Sequence, residues 1–257
     1  MPAKFKLITI PVSHYSEKVR WALDYLEIPF QESPHTPPFH RQATGKYGGS
    51  STPVLVTDLG KSFTDSTEIL RYLDTLHPGK LYPPEPEIQA LTLELEKLFN
   101  QRLGTNTRRW GYSYILTPQL IKPKWTVGVP IWEKLLFPII FPKMRSIIVE
   151  TMKISETSAT ESYLKIDRVF NRVNEVLSDG RKYLLGDQFS AIDITFAALA
   201  VPVLQPPEHP IPSSLDLLPP QMQVIIQTAR ATPAGEFGLR LYRENRSAKI
   251  SQPINSN

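Results

Sequence analysis

The 257-residue chain has no cysteine. That one absence removes disulfides, thiolate metal sites and any cysteine nucleophile. An excess of charge is also missing: the formal net charge is +4, and the basic residues form no run. A nucleic-acid partner is therefore not expected. The five histidines are scattered, with no His-x-x-x-His pair and no acidic box, so no metal is expected. A phosphate-binding glycine loop and a Gly-x-Ser-x-Gly elbow are absent too. The N-terminus lacks an uninterrupted apolar stretch ahead of a small-residue cleavage site. No secretory leader is expected, and the cytoplasm is the expected compartment.

Long hydrophobic runs are scarce. The strongest, 127–149, is interrupted by Glu133, Lys134, Lys143 and Arg145 and contains Pro138 and Pro142. A spanning helix needs roughly 20 mostly apolar residues, and a charge at its centre is costly. This stretch is expected to be buried or to line a site, and membrane contact is not expected.

What the chain does have is enough apolar content, 41%, and enough length for two domains. Residues 4–77 alternate strand and helix. A strand is predicted at 6–10 and a polar break at 13–16. Val19, Leu23 and Leu26 then fall on one helix face, at i, i+4 and i+7. Strands at 52–57 and 61–63 flank Asp58-Leu59-Gly60, a hairpin turn signal. Asp65 and Ser66 open a further helix, whose buried face carries Ile69, Leu70 and Leu73. Pro78-Gly79 and Pro83-Pro84, with Pro86, mark a linker. Beyond it Leu91, Leu95, Leu98, Phe99 and Leu103 recur with helical period. Another helix passes through Leu164, Phe170, Val173 and Leu177, and two closing helices are predicted at 221–229 and 233–245. Ser190-Ala191-Ile192-Asp193 reads as a capping box.

Together, the strand–turn–helix with Ser13, the Thr52-Pro53 pair, the Asp65-Ser66 helix start and the Ser190–Asp193 box resemble the glutathione transferase superfamily. The resemblance implies an α/β thioredoxin-like N-terminal domain over 1–78 and a linker over 79–87. It implies an all-α domain over 88–248, with an extended proline-rich insertion at 111–157, and a frayed tail over 249–257. It also implies glutathione as co-substrate, attack of its thiolate on an electrophilic small molecule, a detoxification role, and a homodimer through the first domain and the helix around 91–103. In this family the place of Ser13 holds the residue that addresses the glutathione sulfur. Serine is also a preferred N-cap, and Ser16 competes for the cap, with Tyr15 and Ser16 as alternative hydroxyls.

Thr52-Pro53 resembles a cis-proline turn whose main chain pairs with the cysteinyl backbone of glutathione. Asp65 and Ser66 would meet the γ-glutamyl end, since the N–H groups opening a helix suit a carboxylate. The glycine carboxylate would meet His40, Arg41 or Lys46, among which the sequence does not choose. The approach to Pro53, residues 42–51, departs from the family's usual Asn-Pro-x-Gly. Trp110, Tyr112 and Tyr114, with Tyr15, are the expected wall of the second-substrate pocket, although each also suits a core. Ser13-x-x-Ser16 stands where thioredoxin-like redox sites carry two cysteines. Disulfide exchange and dehydroascorbate-type chemistry through a protein thiol are thereby excluded. Two rival readings are a non-catalytic binding or assembly module on the same fold and a membrane-associated scaffold using 127–149.

Overall fold

A computed structural model describes residues 5–246. The expected tail at 249–257 lies outside the described residues, as does the expected end of the helical region at 248.

The N-terminal part is a four-stranded sheet with helices packed on it. Strand β1 (Phe5–Thr9) leads to α1 (His14–Tyr25), β2 (Phe30–Pro34), α2 (His40–Gly45), β3 (Val54–Val56), β4 (Ser62–Phe63) and α3 (Ser66–Leu76). The strand order is β2-β1-β3-β4. β1 and β2 are parallel, pairing Phe5 with Phe30 and Thr9 with Pro34. β3 runs antiparallel to both β1 and β4. This is the thioredoxin-like arrangement the sequence implies. β2 and α2 are additions to that reading. β2 is the polar Phe-Gln-Glu-Ser-Pro and is at most half-buried. An edge strand tolerates its proline and lacks the apolar alternation that would betray it.

The rest is helical. α4 (Pro86–Leu98) passes through a π-helical turn, Phe99–Leu103, into α5 (Gly104–Ile115). Then come α6 (Pro118–Trp125), α7 (Ile131–Thr151), α8 (Glu156–Leu177), α9 (Ala191–Leu204), α10 (Pro220–Arg230) and α11 (Pro233–Asn245). α9 is the axis of this part, with twelve of its residues buried. It packs on α1, α5, α10 and α11 and so joins the helical part to the sheet part. Its capping box is present in both directions: Ser190 Oγ accepts from Ile192 N–H, and Asp193 accepts from Ser190 N–H at 2.9 Å.

The far end of the described chain fastens α1 from the other side. Arg246 donates to Glu17 and Asp24, both at 2.7 Å. Trp21 Nε1 donates to the Asn245 carbonyl.

The stretch 127–149 divides by helix face. Phe137, Phe141 and Met144 pack with Leu116, Ile121 and Trp125 in a satellite core. Ile131 and Leu135 face solvent away from any site, so the expectation of a buried or site-lining segment fails for them, whereas Ile139 is exposed but lines the cleft described below. Among the described residues, no helix is long and apolar enough to cross a membrane.

Candidate functional site

A cleft of about 690 Å³ opens between the N-terminus of α1 and helices α5, α6 and α7. Its floor is the turn after β1. Ser13 N–H donates to the Ile10 carbonyl at 3.0 Å, which bends the chain out of the strand. Ser13 is the N-cap of α1, its Oγ accepting from Ser16 N–H at 3.2 Å. That bond uses a lone pair and leaves the hydroxyl proton uncommitted. Ser13 lines the cleft, so the capping and sulfur-facing readings coexist in one side chain.

The neighbouring groups are occupied differently. Tyr15 also lines the cleft, but its hydroxyl donates to the Asn100 carbonyl at 2.8 Å. Burial raises its pKa. His14 is bonded through Nε2 to the Gly104 carbonyl at 2.9 Å. Burial, then the charge of Arg108, pushes its pKa down to about 3, so the ring is neutral at pH 7 and donates that bond. Ser16 Oγ is buried, has no partner and does not line the cleft. The π-helical turn supplies these contacts, because the Asn100 and Gly104 carbonyls bracket it. Glycine at 104 is needed: a Cβ there would lie 2.7 Å from Tyr15 Cζ.

The second wall comes from the sheet part. The Thr52–Pro53 bond is cis, as is Pro37–Pro38. Thr52 lines the cleft, while Pro53 lies behind it in the sheet part. His40 and Arg41, at the start of α2, line the cleft; Lys46, at the end of that helix, does not. Burial, then Arg41 and His35, lowers His40 to about 4. His40 is therefore neutral at pH 7, and its Nδ1 is buried without a partner. Arg41 is exposed and charged. Asp65 and Ser66 are not among the residues lining the cleft. Asp65 caps α3, accepting from Thr67 N–H at 2.8 Å and Glu68 N–H at 3.1 Å, and Ser66 is buried in the first turn. Lys18 lies beneath them, fully buried, donating to Thr67 Oγ1 at 3.1 Å and Asn100 Oδ1 at 3.3 Å. Its desolvation lowers its pKa to about 8, opposed by Glu96 and Asp65.

The helical wall corrects part of the expected pocket. Arg108, Gly111, Tyr112 and Ile115 of α5 line the cleft. Trp110 and Tyr114 do not. Trp110 is 1% exposed in the main core, packed edge-on to Tyr114 and against Tyr163 of α8. Residues 110, 112 and 114 are spaced by two, which on a helix sends the middle one to the opposite side. Tyr112 alone of the three reaches the site. Arg108, one turn before it, is not among the residues expected at the site, although the i, i+4, i+7 spacing of 108, 112 and 115 marks the face. Leu120, Ile121 and Trp125 of α6, with Ile140, Met144 and Ile148 of α7, complete an apolar enclosure.

The charged side chains that line this cleft are of one sign. Arg41, Arg108, Lys124 and Lys143 line it, and among the described residues no aspartate or glutamate does. A thiolate formed beside Ser13 would sit in a positive field, with the α1 N-terminus adding its partial charge. Among the described residues no group of three or more histidine and carboxylate side chains could hold a metal.

Two comparisons bear on this architecture. Residues 7–81 match the glutathione S-transferase N-terminal domain, and residues 131–213 match the glutathione S-transferase C-terminal domain. The chain belongs to the glutathione S-transferase superfamily. No curated protein is matched by sequence. Among solved structures, a glutathione S-transferase of Ceriporiopsis subvermispora in complex with glutathione superposes with a TM-score of 0.65 at 18% identity, covering 96% of this chain and 99% of that one. A glutathione transferase from Phanerochaete chrysosporium gives 0.62 at 11% identity, covering 96% and 99%. The beta-etherase LigF of Sphingobium sp. strain SYK-6 gives 0.59 at 18% identity, covering 92% and 99%. At these identities the likeness is one of fold.

Proposed function

We propose that this protein is a glutathione transferase in which Ser13 stabilises the glutathione thiolate for attack on an apolar electrophile. The observation that carries the reading is the meeting, in one cleft, of an uncommitted Ser13 hydroxyl, the α1 N-terminus, the cis Thr52–Pro53 turn and an apolar enclosure free of carboxylates. Glutathione-bound relatives of the same fold support it.

In this reading the main chain of Thr52 pairs with the cysteinyl unit. Asp65 takes the γ-glutamyl ammonium, while Ser66 and the α3 N-terminus take its carboxylate. Arg41 takes the glycine carboxylate, because His40 is neutral and Lys46 stands outside the cleft. A free thiol has a pKa of about 8.5. The Ser13 proton, the helix terminus and Arg108 all favour its ionised form. The thiolate then forms a carbon–sulfur bond as the electrophile releases a leaving group or takes up a proton. Tyr112, Ile115 and Trp125 hold the apolar body of that electrophile.

A homodimer rests on family likeness. α4 contributes little to it, because Leu91 and Leu98 are half-buried and Leu95 is fully buried in the core, leaving Leu93 exposed. A cytoplasmic, detoxifying role belongs to the same proposal.

The test pairs calorimetry with turnover. Wild type should bind glutathione in the millimolar range or tighter, and Asp65→Ala should weaken it. Ser13→Ala should keep affinity and lose on the order of 10²-fold in rate, the usual effect of removing one such donor. Binding without turnover by wild type would favour the non-catalytic module. No heat at millimolar glutathione would sink the reading altogether.

A further inference from the structure

Helix α7 turns an apolar face to solvent. Ile131, Leu135 and Ile139, at i, i+4 and i+8, are 69%, 70% and 75% exposed, and Trp132, Leu136 and Ile147 are 40–46% exposed. At 100° per residue these six cover an arc of roughly 160°. Single exposed apolar residues are ordinary; six on one helix face are a surface built to meet something apolar.

The exposed charges on and beside the arc are mostly basic, with Glu150, near its middle, the one exposed carboxylate of the helix. Lys143 lies within it, and Lys134 and Arg145 lie along its edge. The other carboxylate of α7, Glu133, is fully buried and accepts from His35 Nδ1 at 2.6 Å, Thr36 N–H at 2.7 Å and Thr36 Oγ1 at 3.0 Å. It ties the start of α7 to the chain after β2 and offers nothing to solvent. The same helix forms the mouth of the cleft, since Ile139, Lys143 and Ile147 belong both to the exposed face and to the cleft lining.

We propose that this face of α7 docks on an anionic lipid surface, with the helix lying in the interfacial plane. Acyl chains would take the apolar arc and anionic headgroups the flanking cations, the pattern of interfacial amphipathic helices. A second copy of the chain fits less well. A two-fold contact through this face would set two net-positive faces, each with three cations to one exposed carboxylate, against each other. It would also cover the Ile139–Ile147 rim of the cleft. Docking does not depend on the transferase reading. Delivery of an apolar electrophile from lipid to the cleft does rest on it.

Flotation with vesicles tests the docking. Wild type should float with phosphatidylglycerol–phosphatidylcholine vesicles and stay behind with pure phosphatidylcholine. Trp21, Trp110 and Trp125 are buried at 1–2% exposure, so a lipid-induced blue shift of emission reports Trp132. The double variant Ile131→Ser with Leu135→Ser removes two residues outside the cleft lining. It should bind anionic vesicles about tenfold more weakly or worse, with unchanged glutathione calorimetry and melting. The proposal is overturned if wild type ignores anionic vesicles without a Trp132 shift, or if it binds both lipids equally. A lipid-free dimer that this variant dissociates would assign the face to a second copy and overturn it as well. Because vesicle binding and glutathione binding are read separately, failure of one is distinguishable from failure of the other.

Discussion

Replacing Asp193 by alanine should unfold the protein at a temperature lower by about 10 °C. The carboxylate is fully buried. It accepts from Leu184 N–H at 2.9 Å, Ser190 N–H at 2.9 Å and Ser190 Oγ at 2.7 Å. Alanine leaves two buried backbone N–H groups without an acceptor, at about 1–3 kcal/mol each. A simple exposed cap would cost ~0.5–2 kcal/mol, so the total of about 3–5 kcal/mol exceeds ordinary capping because Asp193 also anchors the 183–186 turn. For a chain of this size each kcal/mol shifts the midpoint by about 2–4 °C. A circular dichroism melt measures it, and a fall of under about 3 °C would refute the hydrogen-bond accounting. The pH dependence gives a second check. Burial pushes Asp193 up to about 6, above an unfolded value near 3.9. The folded state then holds the proton more tightly, so this group favours folding most at low pH and loses that contribution as pH rises from about 4 through 6. The difference in stability between wild type and Asp193→Asn should change across that window and flatten above it.

Two further outcomes follow from the charges in the cleft. Arg41→Ala should weaken glutathione binding by about tenfold, the loss of one exposed charge-assisted contact, while Lys46→Ala leaves the calorimetric constant unchanged; the reverse result would move the glycine carboxylate to the other end of α2. The rate against pH should rise with the glutathione thiol and show no inflection from His14, whose pKa is about 3; a bell with an arm near 6.5 lost in His14→Gln would make that imidazole a base.

Much of the fold was legible because its signals are local. The helix starts at Ser13, Asp65 and Ser190 carry their own caps, and each is observed with its side chain accepting a backbone N–H. The closing helices at 221–229 and 233–245 were visible between prolines and appear as Pro220–Arg230 and Pro233–Asn245. What escaped depends on partners distant in sequence. β2 is a strand because β1 lies alongside it, not because Phe-Gln-Glu-Ser-Pro alternates. Glu133 reads as an interruption in an apolar run, yet it is buried because His35 and Thr36 reach it from about a hundred residues away. The two prolines inside α7 likewise argue against the 21-residue helix that forms. Trp110 was expected at the site because the helix end it belongs to walls the pocket in the resembling family, yet it turns into the main core with Tyr163, as its suitability for a core allowed.

The choice among hydroxyls at the start of α1 shows where geometry adds to pattern. Ser13, Tyr15 and Ser16 are chemically able to donate to a sulfur, and sequence offers no way to separate them. Tyr15 has given its proton to the Asn100 carbonyl. Ser16 is sealed in the core and outside the cleft. His14, neutral and bonded to Gly104, holds the end of the π-helical turn against the α1 N-terminus. The turn thus does two things at once: it ties α1 to the helical part and engages the Tyr15 hydroxyl and the His14 ring. Ser13 is left, with its oxygen engaged as a cap and its proton free. A cap of this kind also fixes the hydroxyl oxygen in place, so that under the proposed function a donor to the glutathione sulfur would be preorganised before the ligand arrives, as electrostatic stabilisation of a developing anion requires.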